Sequence, residues 1–208
     1  MSSNITSLCK SKAVQLFADR TRRADLDTAD FAQAYVQLGA CLGIALVEQL
    51  EMEDYDIPHC QGMRKGVRIK DEKAIGIIVM LRAGLYLAEG LRELLRTSPM
   101  FLVEPKRGSG ISEADLAKIS LAKLRHALIV DAVVNTGASI TPIFGQLKGI
   151  GIRGITVVAG VAPKEKAECL AADNLDINFL FARLSTNTYV GKGGTDTGNR
   201  LFGTEFLD

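Results

Sequence analysis

The chain has 208 residues, of which 47% are apolar and 24% are charged, and its formal net charge is +1. That length and apolar content suit one large domain, spanning 1–208, with a substantial buried core. A net charge so close to zero excludes a strong overall attraction to nucleic acid or to an acidic membrane surface, so any anion site must be local.

The cysteines and the start of the chain bear on its compartment. No CxxC or zinc-like spacing occurs, which favours reduced thiols over disulfides for Cys9, Cys41, Cys60 and Cys169. The polar first residues lack the apolar centre of a secretory signal. Charged residues also interrupt each apolar run before it reaches the roughly 20 residues of a membrane span. We therefore expect a cytoplasmic protein with no nucleic-acid or membrane partner.

The first third of the chain is predicted to hold one long helix and an arm. Residues 1–27 form a polar segment, at whose end Asp27 or Thr28 can cap a helix. Apolar residues then recur at three-to-four spacing from Phe31 to Leu50, which is typical of an amphipathic helix. Residues 51–71 are polar and alternate weakly, and this pattern favours an arm or a hairpin.

From Ala74 onward, apolar runs of strand length alternate with helical patterns. Buried strands are predicted for AIGIIVM, MFLV, HALIVD, ITVVAGVAP and INFLFARL, and helices for LYLAEGLRELL, ITPIFGQLKGIG and KEKAECLAAD. This order predicts the α/β class, with a mainly parallel sheet covered by helices on both faces. Ligands of such sheets bind at the carboxyl ends of the strands. Residues 104–113, EPKRGSGISE, have the composition of a mobile active-site flap.

The segment ALIVDAVVNTGAS, residues 127–139, has the strongest chemical signal. It places Asp131 at the end of a buried strand and a small polar turn just before a helix. Backbone N–H groups of such a turn converge on phosphate, hydroxyls at Thr136 and Ser139 add donors, and Gly137 permits close approach. Asp131 can accept hydrogen bonds from ribose hydroxyls, directly or through a metal ion and its waters. An ordinary strand, turn and helix with a capping threonine is the alternative.

This segment resembles the ribose-phosphate loop of type I phosphoribosyltransferases. Two further segments, MLRAGL and YVGKGGTDTGNRLFGT, resemble the pyrophosphate turn and the C-terminal base loop of the uracil branch of that family. The resemblance extends over residues 20–204. It implies the type I fold with a small arm or hairpin. It also implies transfer of ribose 5-phosphate from 5-phosphoribosyl-1-pyrophosphate to uracil, giving UMP and pyrophosphate for pyrimidine salvage.

The resemblance further implies a role for each matched residue. Catalytic roles fall on Asp131, Arg82 and Asp196. The residues matched to 5-phosphate binding are Asn135, Thr136, Gly137, Ala138 and Ser139. Those matched to the diphosphate are Arg82 and Arg107. Those matched to the base lie in a base-recognition loop at 185–204 and are Tyr189, Val190, Gly194, Thr195 and Asp196. A looser match places Arg22 and Thr28 in an N-terminal motif of the family. Mg²⁺ is implied as a cofactor that the donor carries, with no direct protein ligand, and a homodimer or homotetramer is expected.

Both loops depart from the family pattern. The ribose-phosphate loop usually reads DPMLATGGS, and here Ala132, Asn135 and Ala138 replace its proline, its alanine and its second glycine. Phosphate binding by backbone amides is expected to survive if position 138 needs no positive φ.

The base loop, usually YIxPGLGDAGDRLFGT, has Lys192 for proline, Gly194 for leucine, Thr195 for glycine and Asn199 for aspartate. Thr195 is expected to restrict the backbone and to add bulk where a base should lie. The flap is also shorter than usual. These changes leave two alternatives open: a regulatory protein that binds the donor or a nucleotide without turnover, or an enzyme that uses another nucleobase.

Overall fold

The computed structural model describes residues 4–106, 108–187 and 189–207 of this chain. In chain order the elements are β1 (Ile5–Ser7), α1 (Lys12–Arg20), α2 (Thr28–Val47), β2 (Met52–His59), β3 (Gly62–Ile69), β4 (Ile75–Met80), α3 (Leu85–Leu91), β5 (Met100–Val103), α4 (Glu113–Leu121), β6 (His126–Val133), α5 (Thr141–Gly149), β7 (Gly154–Pro163), α6 (Lys164–Asp173), β8 (Asn178–Ser185) and α7 (Thr197–Phe202). Short 3₁₀ turns lie at Glu72–Ala74, Gly193–Thr195 and Glu205–Leu207.

Six strands form one sheet, in the order β1-β8-β7-β6-β4-β5. All of its pairings are parallel in the described part of the chain. Strand β6 is central, with Val130 opposite Val79 of β4 on one side and Val158 of β7 on the other. The predicted α/β class with a mainly parallel sheet is confirmed, and the strands' carboxyl ends lie at one edge of it.

Successive side chains on each central strand enter two different cores. On β4, Ile77 and Val79 belong to one core, whereas Ile78 and Met80 belong to the other. Burial of one such side chain contributes about 1.5–3 kcal/mol. Because both faces are apolar, both need covering: residues of α1, α2, α3 and α7 pack on the first face, and residues of α4, α5 and α6 pack on the second.

The long helix α2 begins where the sequence predicted. The Asp27 carboxylate accepts a hydrogen bond from the Asp30 N–H at 2.8 Å, which caps the first turn. Its length and mean hydropathy of 1.3 would also suit a membrane span, and half of that stretch is buried inside the protein. A Cβ at Gly39 would collide with the Leu87 carbonyl group of α3. This close packing holds α3, and hence the turn before it, against the sheet.

Four elements escaped the sequence prediction, and one of them, α7, lies within the predicted base-recognition loop. The N-terminal segment, expected to be only a polar lead-in, forms β1 and α1: Ile5 of β1 pairs with Phe179 of β8, and α1 buries Val14 and Ala18. Helix α4 follows the flap and is capped by Ser112. Elements this short owe their stability mostly to tertiary packing, so their local patterns are weak.

Strands β2 and β3 form the antiparallel hairpin that the weak alternation favoured. Most of its residues are exposed. Ion pairs cross it between Arg68 and Glu53 and between Lys65 and Asp56, and each exposed pair contributes about 0–1 kcal/mol. The hairpin supplies no lining residue to the cavities described below.

Candidate active site

The loops that follow β4, β6 and β8 meet at the carboxyl edge of the sheet, where they line two adjoining cavities. The phosphate cavity, about 210 Å³ in volume, is lined mainly by residues 133–140. The arginine cavity, about 340 Å³, is lined by residues 81–83 and by the start of α7. Four residues border both cavities: Asp131, Val133, Tyr189 and Asp196. The two cavities therefore form one continuous site with room for an extended ligand.

The turn after β6 presents unpaired backbone donors. In the part of the chain that the structure describes, the N–H groups of Thr136, Gly137 and Ser139 donate to no protein acceptor. The Ala138 N–H lies 3.3 Å from the Thr136 hydroxyl oxygen. Helix α5 follows directly, and no side chain caps its N-terminus. Open amides at a helix N-terminus attract anions, so the turn has the chemistry of a phosphate site.

The backbone conformation of this turn explains why alanine is tolerated at 138. Gly137 has a φ of 79°, in the left-handed region that favours glycine. A Cβ at that position would also lie 2.9 Å from Leu170 Cδ1. Ala138 is not among the residues with positive φ. Position 138 therefore needs no positive φ, and alanine in place of the family's second glycine does not strain the turn.

Asp131 lies between the two cavities, near the carboxyl end of β6 and opposite Ala159 of β7. Burial raises the pKa of its carboxyl group from the ordinary 3.8 to about 7, although backbone hydrogen bonds from Ala132 and Val133 lower it. Burial has this effect because the charged form loses hydration. A ligand that donates hydrogen bonds or brings a cation would shift the group back toward the carboxylate.

Arg82 extends into the arginine cavity from the turn after β4. Its Nη2 donates to Asn199 Oδ1 at 2.9 Å, and its Nη1 donates to Thr204 Oγ1 at 3.2 Å. The guanidinium carbon lies 5.8 Å from the centre of the Phe202 ring. These partners are neutral, and one of them, Asn199, stands where the family usually has aspartate. They orient the guanidinium without offsetting its charge, which leaves it able to bind an anion.

The base loop is stabilised by Thr195, the side chain that was expected to add bulk where a base should lie. The Thr195 hydroxyl oxygen lies 3.0 Å from the Val190 carbonyl oxygen and 2.8 Å from that of Lys192, and it accepts a hydrogen bond from the Lys192 N–H at 3.2 Å. Thr195 borders neither cavity. Its hydroxyl therefore binds the loop's own backbone, and its bulk stays outside both cavities.

The backbone of the same loop explains the other substitutions. Lys192 has a φ of −155°, whereas proline is fixed near about −65°. Gly193 takes the left-handed region, with a φ of 52°. Proline at 192 would not fit this conformation, so the changes at 192–195 belong to one alternative loop. Val190 and Gly194, which were also predicted to bind the base, are exposed and border neither cavity.

One side chain ties the phosphate turn to the base loop. Asn135 Nδ2 donates to the Tyr189 carbonyl oxygen at 2.9 Å. The Tyr189 hydroxyl in turn accepts from the Thr197 N–H at 2.6 Å and donates to the Thr195 carbonyl oxygen at 2.9 Å. The sequence assigned Asn135 to the phosphate and missed this link. Its only signal was an asparagine at a position where the family usually has alanine.

The flap lies next to the phosphate turn. Gln146 of α5 binds both backbone groups of Ile111, at 2.8 and 2.9 Å. The Gly108 N–H lies 3.5 Å from the Ala138 carbonyl oxygen. The predicted diphosphate contact of Arg107 falls outside the described residues. Of the looser matches, Arg22 forms an exposed ion pair with Asp19 at 2.8 Å, so its positive charge is partly compensated.

A turn with open amides after the central strand of a parallel sheet, an arginine after the neighbouring strand and a carboxyl group between them are the arrangement expected of a type I phosphoribosyltransferase. The sequence model of the family described as Uracil phosphoribosyltransferase matches residues 8–204. The chain belongs to that family, whose members bind 5-phosphoribosyl-1-pyrophosphate and a nucleobase.

Two solved structures show the same fold. The AQ2163 protein from Aquifex aeolicus is similar with a TM-score of 0.74 and 16% identity, over 95% of this chain and 97% of that one. The TT1426 protein from Thermus thermophilus is similar with a TM-score of 0.50 and 15% identity, over 81% of this chain and 96% of that one. At these identities the likeness concerns the fold alone.

Proposed function

We propose that this chain transfers ribose 5-phosphate from 5-phosphoribosyl-1-pyrophosphate to uracil, releasing pyrophosphate and giving UMP. Family membership supports phosphoribosyltransferase chemistry, and uracil as the acceptor is the proposal. One observation carries it: open amides after β6, the carboxyl group of Asp131 and the guanidinium of Arg82 line one continuous site.

The charges of the donor match this arrangement from end to end. The 5-phosphate would occupy the turn at 136–139, where the N–H groups of Thr136, Gly137 and Ser139 have no protein acceptor among the described residues. The diphosphate would lie in the arginine cavity, where the guanidinium of Arg82 has neutral partners. Asp131 borders both cavities and would accept hydrogen bonds from the ribose hydroxyls between them.

The chemical step then needs placement more than covalent work by the protein. A nitrogen of the base attacks C1 of the ribose, and the new C–N bond forms as the C1–O bond to the diphosphate breaks. Pyrophosphate leaves with the electron pair, and the proton of the base passes to solvent. The chain contributes by holding both reactants in line and by placing positive charge where negative charge develops.

Mg²⁺ fits this site as an ion that arrives with the donor. Asp131 and Asp196 both border the arginine cavity, and the described residues contain no cluster of three or more potential metal ligands. In phosphate sites Mg²⁺ keeps several waters and takes one or two carboxylates together with phosphate oxygens. When bound, it would help to neutralise the leaving diphosphate, while the two carboxylates hold its waters.

A second candidate acceptor, another nucleobase, is favoured by the altered base loop. Its Lys192 φ of −155° and the hydrogen bonds of Thr195 belong to a conformation that the family's proline would not adopt. The loop that would distinguish bases therefore differs in conformation, while the donor end keeps Asp131, Arg82 and the open amides after β6.

Donor titration and a panel of bases test the proposal together. Calorimetry with 5-phosphoribosyl-1-pyrophosphate and Mg²⁺ is expected to show binding, and mass analysis of products across uracil, cytosine, orotate and purines is expected to show UMP. Turnover of another base alone would reassign the acceptor. Binding without turnover of any base would favour the regulatory alternative. Absence of donor binding would refute the proposal altogether.

Loosening the base loop is expected to impair use of the base and to spare donor binding. Thr195→Val keeps the shape of the side chain and removes the hydroxyl that braces Val190 and Lys192. A lost hydrogen bond costs about 1 kcal/mol, or about fivefold in kcat/KM for the base. Steady-state kinetics check this, with Thr6→Val at an exposed position of β1 as the matched control. An equal loss of donor affinity would contradict the assignment.

A further inference from the structure

A third cavity lies beside the site, on the side away from Arg82. This side cavity, about 120 Å³ in volume, is lined by the ends of β7 and β8 and by the start of the base loop. Val133 and Tyr189 border it as well as both other cavities. The side cavity is therefore an extension of the active site rather than a separate pocket.

Arg183 is the charged residue that lines the side cavity. It lies opposite Val161 of β7, which in turn lies opposite Val133 of β6, so the three residues form one row across the sheet. Arg183 is half-buried. Within the described ranges, its guanidinium makes no hydrogen bond or ion pair, and the nearby Asp19 is paired with Arg22.

The surroundings of Arg183 are unfavourable for an isolated charge. Val133, Val161 and Pro163 give the cavity apolar walls. Burial, followed by repulsion from Arg22, lowers the pKa of the Arg183 guanidinium, while Tyr35 and Asp19 have smaller opposing effects; arginine nevertheless stays protonated in proteins. A half-buried cation with apolar neighbours is stabilised when a ligand supplies an oxygen that accepts its hydrogen bonds.

The strand order indicates which reactant supplies that oxygen. Arg82 follows β4 on one side of β6, whereas the side cavity lies over β7 and β8 on the other side. In a displacement at C1 the attacking base and the leaving diphosphate lie on opposite sides of the ribose. If the diphosphate lies at Arg82, the side cavity is on the side from which the base must attack.

We infer that Arg183 determines acceptor specificity, by donating hydrogen bonds to an oxygen on the ring of the incoming base. This inference rests on the proposed phosphoribosyltransferase function. The oxygen belongs to a ring oxo group, as in uracil, or to a ring carboxylate, as in orotate. Both are planar acceptors that suit the fork of a guanidinium.

Arg183→Gln tests the inference in the full-length protein. The variant is expected to raise the KM for the accepted base by about 10- to 100-fold, the scale for loss of a charge-assisted hydrogen bond. The Kd for the donor should stay within about twofold, because the donor's anions bind elsewhere. Arg183→Lys should recover part of the loss. The matched control is Arg153→Gln, an exposed arginine just before β7 at the opposite edge of the sheet.

The acceptor panel distinguishes the two sources of oxygen. A loss confined to orotate would assign Arg183 to a carboxylate, and a loss with uracil would assign it to an oxo group. An unchanged KM for the accepted base, or an equal loss of donor affinity, would overturn the inference. If the wild type turns over no base, calorimetry with UMP and orotidine monophosphate replaces kinetics. Equal affinity of the wild type and Arg183→Gln for both nucleotides would then overturn the role of Arg183. Failure of the proposed function differs from this outcome, because it would abolish turnover and leave the effect of Arg183→Gln on nucleotide affinity in place.

Discussion

Asp131→Asn is expected to weaken donor binding by about 10- to 150-fold, which corresponds to about 1.5–3 kcal/mol for hydrogen bonds to a charged group. The carboxyl group borders both the phosphate and the arginine cavities, so it is placed to meet the ribose between the two anionic ends. The neutral amide keeps the size of the side chain and loses its charge. Calorimetry at a fixed Mg²⁺ concentration measures the loss.

The same residue is expected to make donor binding depend on pH. Without ligand, burial raises the pKa of Asp131 to about 7, and ribose hydroxyls or a hydrated cation favour the carboxylate. Binding below that pH must therefore release a proton, so affinity should rise as the pH approaches about 7 and level off above it. The phosphates of the donor also titrate in this range, and Asp131→Asn serves as the control because it retains only their contribution. Identical pH profiles for the two proteins would contradict the role.

The stability of the unliganded protein should change with pH in the opposite sense. A carboxyl group whose pKa is higher in the folded state binds more protons there than in the unfolded chain between its ordinary value of 3.8 and about 7. The free energy of unfolding contributed by Asp131 is therefore fully present at low pH and falls as the pH rises through this window. Asp131→Asn should lack this fall, and denaturant unfolding at several pH values would detect the difference.

The sheet was predictable because its strands are buried on both faces. Continuous apolar runs of strand length, such as the one that forms β6, are typical of parallel strands with helices on both faces. The open turn after β6 was predictable for a related reason. Its backbone amides and its one glycine with positive φ belong to a short contiguous segment, and their binding to a phosphate stays a prediction. The N-terminal β1 and α1 were missed since they are stabilised by contacts with β8 and α2, which the local sequence does not contain.

The base end was harder to predict because its geometry depends on residues that are distant in sequence. Thr195 was interpreted as added bulk, yet a hydroxyl at that position can instead bond to the backbone once Gly193 turns the chain. Arg183 gave no signal because one charged residue within an apolar strand usually marks the end of the strand. Only the pairing of β8 with β7 places Arg183 beside the side cavity, which Tyr189 also borders.

Arg82→Ala is expected to reduce affinity for pyrophosphate by about 10- to 150-fold, which corresponds to about 1.5–3 kcal/mol for charged hydrogen bonds. Affinity for ribose 5-phosphate should hardly change, because that ligand would occupy the phosphate cavity, which Arg82 does not line. Separate titrations with the two ligands measure this contrast. Arg96→Ala, at an exposed arginine beyond α3, is the matched control for loss of charge.

Arg82→Lys then separates charge from geometry. Asn199 and Thr204 bind two different nitrogens of the guanidinium and so fix its plane toward the cavity. Lysine restores the positive charge, but its single ammonium group lacks the planar fork that can bind two partners and a phosphate at once. We expect partial recovery of pyrophosphate affinity over Arg82→Ala. Full recovery would show that charge alone matters at this turn. Equal losses for pyrophosphate and ribose 5-phosphate, together with a lowered melting temperature, would instead mean that Arg82 mainly attaches α7 to the end of β4.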